Sequence, residues 1–231
     1  MRPTAGKAPV ARVAGRPREP RSARLCSSVP LCDLGFSVPS ASRGARVRVI
    51  AGTLKGRRLK APTWDGLRPT SDKLRETLFN ILAPRIAGAR FLDGYAGTGA
   101  VGIEALSRGA KAVTFVERDR RAETLIAENL AHCGVDNGYA IIRATVARAI
   151  DQLDAAAFGP YELFDIVWFD PPYDERADAV VAAAGALVAP GGVLVLEHAR
   201  RQPAPETAGR LARVRQVASG DSTLSFYERK N

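Results

Sequence analysis

A chain of 231 residues, 46% of them hydrophobic, is long enough to bury the core of one substantial domain. No apolar run approaches the roughly 20 residues of a membrane helix, so we expect a soluble protein without a membrane partner. Three cysteines without CxxC spacing suggest neither a disulfide framework nor a zinc site, and the two histidines show no metal-ligand pattern, so we expect no metal. The cysteine content fits a cytoplasmic protein.

The net charge of +10 is unevenly distributed along the chain. Residues 1–46 carry nine Lys and Arg against two acidic residues, and residues 47–75 carry eight against two. The remainder is mildly acidic. This asymmetry favours a phosphate-binding face attached to a catalytic body.

The first segment, residues 1–46, is rich in Arg, Pro, Ala, Gly and Ser and has no apolar period. Such a composition buries too little surface to offset the entropy of ordering, so we predict a disordered basic extension. Two alternatives stay open. The segment resembles transit peptides in composition, although its prolines oppose an amphipathic helix, and Val47 is a candidate for the true start.

A β-hairpin and a helix are predicted next, over residues 47–84. Alternating apolar residues from Val47 and a turn from Gly52 to Gly56 indicate a hairpin edged with cations. Thr70 or Ser71 is placed to cap a helix whose apolar residues recur at helical spacing.

Strands and helices then alternate through residues 85–231. Short apolar runs predict strands at 90–93, 112–117, 140–143, 164–169 and 193–197. Helices are expected at about 100–108, 119–133, 146–156 and 176–188, and an antiparallel pair at 211–217 and 222–227. Repeated β-α units predict an α/β fold with a doubly wound open sheet.

A glycine-rich loop, residues 94–102, follows the first strand. The spacing of Gly97, Gly99 and Gly102 suits close approach of a ligand, but it also matches the dinucleotide fingerprint. Glu117, at the end of the second strand, is placed to accept hydrogen bonds from the ribose of either a nicotinamide dinucleotide or S-adenosylmethionine. Asp93 favours S-adenosylmethionine, because its carboxylate would attract an ammonium group and repel a pyrophosphate.

The motif Asp170-Pro171-Pro172-Tyr173 ends the fourth strand, at the same edge of the sheet. Two prolines stiffen the backbone and leave carbonyl groups free to accept hydrogen bonds. The Asp170 carboxylate and the Pro171 carbonyl can accept both hydrogens of one base NH₂, while Tyr173 offers a stacking face worth ~1–3 kcal/mol. We expect these four residues to catalyse methyl transfer to an exocyclic base amine.

Residues 47–231 resemble the bacterial 16S ribosomal RNA guanine-N2 methyltransferases of the RsmD type. The motifs that carry the resemblance are Arg48 to Gly52, Gly56 to Leu59, Arg68-Pro69-Thr70, Arg75-Glu76, Phe79-Asn80, Asp93 to Gly102, Glu104 to Ala110, Val116-Glu117 and Asp170 to Tyr173. The resemblance implies a start near Val47 and a Rossmann-like methyltransferase fold with seven strands, mostly parallel with an antiparallel C-terminal hairpin. It further implies S-adenosylmethionine as methyl donor and 16S rRNA, free or in an assembling 30S particle, as partner. We expect the protein itself to be a monomer.

The resemblance also divides the chain and assigns its site. Residues 47–84 would face the RNA, and residues 85–231 would form the methyltransferase domain. Cofactor contacts are expected from Asp93, Tyr95, Ala96, Gly97, Thr98, Gly99, Glu117, Arg118 and Thr145. RNA contacts are expected from Arg48, Lys55, Arg57, Arg58, Arg68 and Arg75.

The sequence departs from the family pattern at two places. Gly94-Tyr95 replaces a bulkier pair in the glycine loop but leaves the glycines intact. Near the adenine site the family often has an acidic or amide residue, whereas here Thr145 or the Ala144 backbone must serve.

Three other functions remain as alternatives. An adenine-N6 DNA methyltransferase shares the Asp-Pro-Pro-Tyr motif but usually needs extra sequence to read DNA. An NAD-dependent oxidoreductase would leave that motif without a purpose. A non-catalytic RNA-binding module would use the basic hairpin alone.

Overall fold

The computed structural model describes residues 47–64, 66–67, 70–155, 163–172 and 176–230. The extension predicted to be disordered, residues 1–46, lies outside this range, as do Arg68 and Tyr173. Within the described residues five helices alternate with strands, as the apolar periodicity predicts. The helices are α1 (Asp72–Ile86), α2 (Ala100–Ser107), α3 (Arg120–His132), α4 (Val146–Ala155) and α5 (Ala177–Ala184).

The strands form a single mixed sheet in the order β3-β2-β1-β4-β5-β8-β7-β6. They are β1 (Arg90–Asp93), β2 (Ala112–Glu117), β3 (Tyr139–Arg143), β4 (Phe164–Phe169), β5 (Val188–Ala199), β6 (Thr207–Ala208), β7 (Leu211–Ser219) and β8 (Ser222–Arg229). Strands β1 to β5 pair in parallel, and β8 runs antiparallel to both β5 and β7.

The described residues hold eight strands where seven were expected. The additional strand, β6, has two residues and pairs antiparallel with the start of β7. Two residues are too few to show a period-2 pattern, so this strand has no signal in the sequence.

Two apolar layers cover the two faces of the sheet. Helices α1, α2 and α3 pack on one face, together with side chains such as Phe91, Trp168 and Val195. Helices α4 and α5 pack on the other, with Leu92, Phe169 and Leu196 among their partners. Side chains on one strand alternate between the layers, as the pleat requires.

The junction of α5 and β5 differs from the sequence prediction. Helix α5 ends at Ala184 rather than near 188, and β5 starts at Val188 rather than 193. The register against β4 jumps from Phe164↔Val188 to Ile166↔Val193. Gly191 and Gly192 therefore lie in a bulge within β5. An ideal Cβ at Gly192 would lie 2.9 Å from the Ala189 carbonyl oxygen, which explains why the bulge requires glycine here.

The predicted hairpin at 47–59 is present as a short antiparallel turn. Arg48 and Arg58 form an isolated bridge, the Val49 N–H donates to Arg57 O at 2.9 Å, and the Leu59 N–H donates to Val47 O at 2.9 Å. Ser71, one of the two residues expected to cap α1, accepts from the Leu74 N–H at 3.3 Å. In the described part of the chain no helix is both long and apolar enough to cross a membrane.

Candidate active site

The candidate site lies at the carboxyl ends of the central parallel strands. Asp93 ends β1, Glu117 ends β2, and Asp170 follows β4. Since β1 pairs with both β2 and β4, the three residues lie along one edge of the sheet. Open α/β sheets bind ligands at this edge.

The Asp93 carboxyl group is buried at the base of the glycine loop. Its Oδ2 accepts a 2.9 Å hydrogen bond from the Gly102 N–H, while Oδ1 has no hydrogen-bond partner among the described residues. Burial raises the pKa of Asp93 to about 7; the bond from Gly102 opposes the shift and the Glu117 charge adds to it. One oxygen of Asp93 is therefore an unused acceptor, ready for a cationic donor.

Backbone hydrogen bonds fix the glycine loop to the strands on either side. The Gly94 N–H donates to Trp168 O at 2.9 Å, and the Ala96 N–H donates to Val116 O at 3.1 Å. The Gly97 N–H donates to Glu117 Oε2 at 3.0 Å. Glu117 Oε1 accepts from the Asp119 N–H at 2.9 Å, so backbone donors on both sides orient this carboxylate.

Two glycines of the loop are dictated by close packing. An ideal Cβ at Gly102 would lie 2.2 Å from Phe115 Cε1, which shows how closely α2 approaches β2. At Gly94 it would lie 2.2 Å from Phe169 Cε1. Tyr95 packs edge-on against the same Phe169 ring, with centroids 5.7 Å apart. The Gly94-Tyr95 pair thus matches the aromatic residue that ends β4.

The other expected cofactor residues surround this loop. Gly99 is the N-cap of α2, and Thr98 is buried. Arg118 is exposed beside Glu117. Thr145 is also exposed, and its Oγ1 accepts from the Arg148 N–H at 3.4 Å in the first turn of α4.

The chain after β4 places Asp170 and Pro171 half-buried and Pro172 exposed. Asp170 follows Phe169, whose neighbour Trp168 is paired with Asp93 in the sheet register. The backbone of Asp170 therefore lies at the same edge of the sheet as the start of the glycine loop. Tyr173, the fourth predicted catalytic residue, lies outside the described residues.

Four of the six cations predicted to contact RNA are exposed, namely Arg48, Lys55, Arg57 and Arg58. Arg75 is different, and its prediction is corrected: the side chain is fully buried. Its Nη2 donates to Arg48 O at 2.8 Å and to Asp72 Oδ1 at 2.6 Å, and Nη1 donates to Ala100 O at 3.4 Å. Arg75 connects the hairpin to α1 and α2 and has no surface to offer a phosphate.

Sequence reasoning missed the residues that fasten the hairpin to the site. Glu104 in α2 is fully buried; its carboxylate accepts from the N–H groups of Ile50 at 2.7 Å and Ala51 at 3.0 Å. Ser107 Oγ accepts from the Leu54 N–H at 2.9 Å. A charged residue inside the otherwise apolar helix 100–107 was the available signal, since a buried carboxylate needs donors.

Asn129 and the segment before α1 were missed as well. The Asn129 Oδ1 accepts from the Lys60 N–H at 2.7 Å, and its Nδ2 donates to Thr98 O at 3.0 Å, which joins α3, the hairpin exit and the glycine loop. An ideal Cβ at Gly97 would lie 3.5 Å from Leu67, so this segment passes over the loop. Such long-range contacts leave no mark on local sequence patterns.

Comparison with known proteins agrees with this geometry. The family described as "Conserved hypothetical protein 95" matches residues 47–228. The YlbH protein of Bacillus subtilis is 35% identical over 80% of this chain and 100% of its own length. "Ribosomal RNA small subunit methyltransferase D" of Escherichia coli is 42% identical over 58% of this chain, and the alignment spans 64% of that protein.

The solved structure of yhhF from Escherichia coli is similar to this fold with a TM-score of 0.68. It is 31% identical, and the match covers 80% of this chain and 98% of that one. The match of the family over residues 47–228 extends from the hairpin to the last strand. The chain therefore belongs to this family of methyltransferases.

Proposed function

We propose that this protein methylates the exocyclic N2 amine of a guanine in small-subunit ribosomal RNA. The observation that carries the proposal is the position of Asp170 beside the glycine loop, with Trp168 and Asp93 paired in adjacent strands. In this proposal the motif that accepts the base amine would lie beside the loop that holds the methyl donor. The relatives named for ribosomal RNA methylation support RNA as the substrate.

S-adenosylmethionine is the cofactor, and the residues present fit it. The unpartnered Oδ1 of Asp93 would accept from the ammonium of its amino-acid part. Glu117, already oriented by the Gly97 and Asp119 N–H groups, would accept from the ribose hydroxyls. Arg118 and Thr145 flank the place where the adenine would lie. When bound, the cofactor supplies a methyl group on a positively charged sulfur.

Asp170 and Pro171 act on the base amine. Its lone pair is delocalised into the ring, so the free amine is a poor nucleophile. Two acceptors on its hydrogens, the Asp170 carboxylate and the Pro171 carbonyl, favour a pyramidal nitrogen whose lone pair points at the methyl group. Methyl transfer forms the N–C bond and breaks the C–S bond, and the electron pair goes to sulfur. Asp170 accepts the proton that leaves nitrogen, directly or through water.

Tyr173 would stack on the base, and the exposed cations Arg48, Lys55, Arg57 and Arg58, with Arg68, would hold the RNA backbone. Glu104 fixes the hairpin that carries most of these cations to α2, the helix that follows the glycine loop. RNA bound to the hairpin would therefore have a defined position relative to the methyl donor.

A methylation assay with three substrates tests the proposal. Labelled S-adenosylmethionine is supplied with undermethylated 30S particles, with free small-subunit rRNA, and with plasmid DNA. We expect label in rRNA, as N2-methylguanine at one position by mass spectrometry. Label confined to adenine in DNA would refute the proposal in favour of an adenine-N6 DNA methyltransferase, a function for which the relatives named above offer no support.

A further inference from the structure

A fourth carboxylate, that of Glu197, lies at the same edge of the sheet, on β5, the strand paired with β4. In the parallel register Phe169 pairs with Leu196, so Asp170 and Glu197 each follow the last pair of β4 and β5. Trp168 and Val195, the residues two positions before each, pack in the same apolar layer as Phe91 of β1. Because side chains alternate, Asp93, Asp170 and Glu197 project from the same face of three adjacent strands.

The Glu197 carboxylate is held in place by the antiparallel end of the sheet. Its Oε1 accepts a 2.8 Å hydrogen bond from Ser222 Oγ, at the start of β8. In the antiparallel pairing of β5 with β8, Glu197 lies opposite Leu224 and Ala199 lies opposite Ser222. Ser222 is therefore the diagonal cross-strand neighbour of Glu197. A carboxylate fixed by a hydroxyl on a paired strand keeps a defined direction, as a specificity group must.

The order of the strands gives these carboxylates a spatial sequence. Adjacent strands are about 4.8 Å apart, and Glu197 lies two residues, about 6.6 Å, further along than Val195, the residue level with Asp93. Asp93 and Glu197 are therefore separated by roughly 12 Å, with Asp170 on the strand between them. In the proposed function the cofactor would lie at the end of β1, and the base amine would be held at Asp170. A base whose amine points from Asp170 toward the cofactor extends its ring in the opposite direction, over β5. Glu197 is the side chain at that end.

We propose that Glu197 is a specificity-determining residue that accepts the N1–H of the target guanine. This inference rests on the proposed function. Guanine carries two neighbouring donors on its Watson–Crick edge, the N2 amine and N1–H, whereas adenine has an acceptor at N1. A carboxylate accepts hydrogen bonds only, so it favours guanine and leaves adenine with two acceptors facing each other. Discrimination arises because a wrong base leaves buried polar groups unpaired.

The test replaces the target guanine with 2-aminopurine, which keeps the C2 amine but has an acceptor at N1. Small-subunit rRNA is built by ligation with either base at the position where mass spectrometry locates the methyl group. For the wild-type enzyme we expect kcat/KM at least about 100-fold higher on guanine. Glu197→Gln offers an NH₂ donor in place of an oxygen, so it should lose guanine activity and narrow this ratio to within about tenfold or reverse it.

The controls separate recognition from folding. S-adenosylhomocysteine affinity and Tm should be unchanged in Glu197→Gln, and Glu206→Gln, at a highly exposed carboxylate, should behave as wild type. If Glu197→Gln does not fold, Ser222→Ala keeps the carboxylate but frees it, and should narrow the same ratio less. A ratio unaltered in the variants, or equal losses on both bases, would overturn the role of Glu197 while leaving the proposed function intact. A wild-type enzyme that methylates neither base would instead refute the proposed function.

Discussion

The Oδ2 atom of Asp93 accepts a 2.9 Å hydrogen bond from the N–H of Gly102, nine residues further along and inside α2. This bond closes the glycine loop from the end of β1 to the helix it opens. It also occupies only one oxygen of a fully buried carboxyl group, and the other has no partner among the described residues. The ionisation of Asp93 should therefore depend on the cofactor.

Binding of S-adenosylhomocysteine should strengthen as pH rises through 7. Burial raises the pKa of Asp93 to about 7, yet the ligand ammonium requires the ionised form. Affinity for S-adenosylhomocysteine at pH 6 should be about tenfold weaker than at pH 8, because Asp93 is protonated in most molecules at pH 6. Calorimetry at several pH values measures this, and Asp93→Asn should bind weakly without the pH dependence. A pH-independent affinity in the wild-type protein would contradict it.

The same carboxyl group should affect the stability of the protein without ligand in the opposite sense. Its folded pKa lies above the ordinary value of 3.8, so the stability gained from neutral Asp93 is fully present below pH 4. That contribution is lost as pH rises through about 7. Thermal denaturation should show Tm falling over this range, and less so in Asp93→Asn. Equal slopes in both proteins would show that Asp93 does not titrate there.

Asp170→Ala should abolish turnover and leave cofactor binding intact. Losing one of two acceptors on the base amine should lower kcat by roughly 10²–10³-fold or more, by analogy with removing a transition-state hydrogen bond. Asp170→Asn is the matched control, because its amide oxygen still accepts one hydrogen and should retain more activity. Single-turnover methylation and S-adenosylhomocysteine affinity measure the two effects. Activity that survives in Asp170→Ala would exclude this mechanism.

Glu104→Gln should release the hairpin from the catalytic domain. The glutamine keeps one acceptor but turns an NH₂ toward the Ile50 or Ala51 N–H, so at least one buried donor loses its partner. We expect unfolding free energy to fall by about 1–3 kcal/mol and RNA affinity to drop, with S-adenosylhomocysteine affinity unchanged. Denaturant unfolding and hydrogen exchange of the Ile50 and Ala51 amides report on this.

The control for that variant is Glu128→Gln. Glu128 forms an ion pair with Lys60 at 2.9 Å, and both side chains are about half exposed, so little stability should be lost. Equal effects of Glu104→Gln and Glu128→Gln would mean that Glu104 does not hold the hairpin.

Neutralising Arg57 and Arg58 should weaken RNA binding and flatten its salt dependence. Removing one arginine that neutralises a phosphate should reduce the slope of log affinity against log salt by about 0.7–0.9. Arg215, exposed on β7 toward the far edge of the sheet, supplies the control variant Arg215→Gln, which should keep the wild-type slope. Filter binding over a salt series gives the measurement. If the slope persists without both arginines, they do not contact phosphate.

Local patterns in the sequence were enough to predict the helices and strands and the residue types at the carboxyl edge of the sheet. The apolar run Phe164–Phe169 has the same bounds as its strand, because a buried parallel strand is apolar on both faces. The glycine loop and Asp170 could be identified from the sequence because each belongs to a motif of consecutive residues. The bounds of α5 and β5 were wrong, since the bulge at Gly191 and Gly192 depends on a partner strand.

Tertiary structure alone decided what the charged residues do. Arg75 and Arg57 are the same residue type in the same basic segment, and nothing in the local sequence separates them. Arg75 is nevertheless buried in a hydrogen-bond network, whereas Arg57 is exposed. Likewise the hairpin and β8 bring donors to Glu104 and Glu197 across long sequence separations. A charge is stable in the interior only when hydrogen-bond and ion-pair partners satisfy it. Several of these partners come from distant chain segments, and no local pattern records which segments will meet.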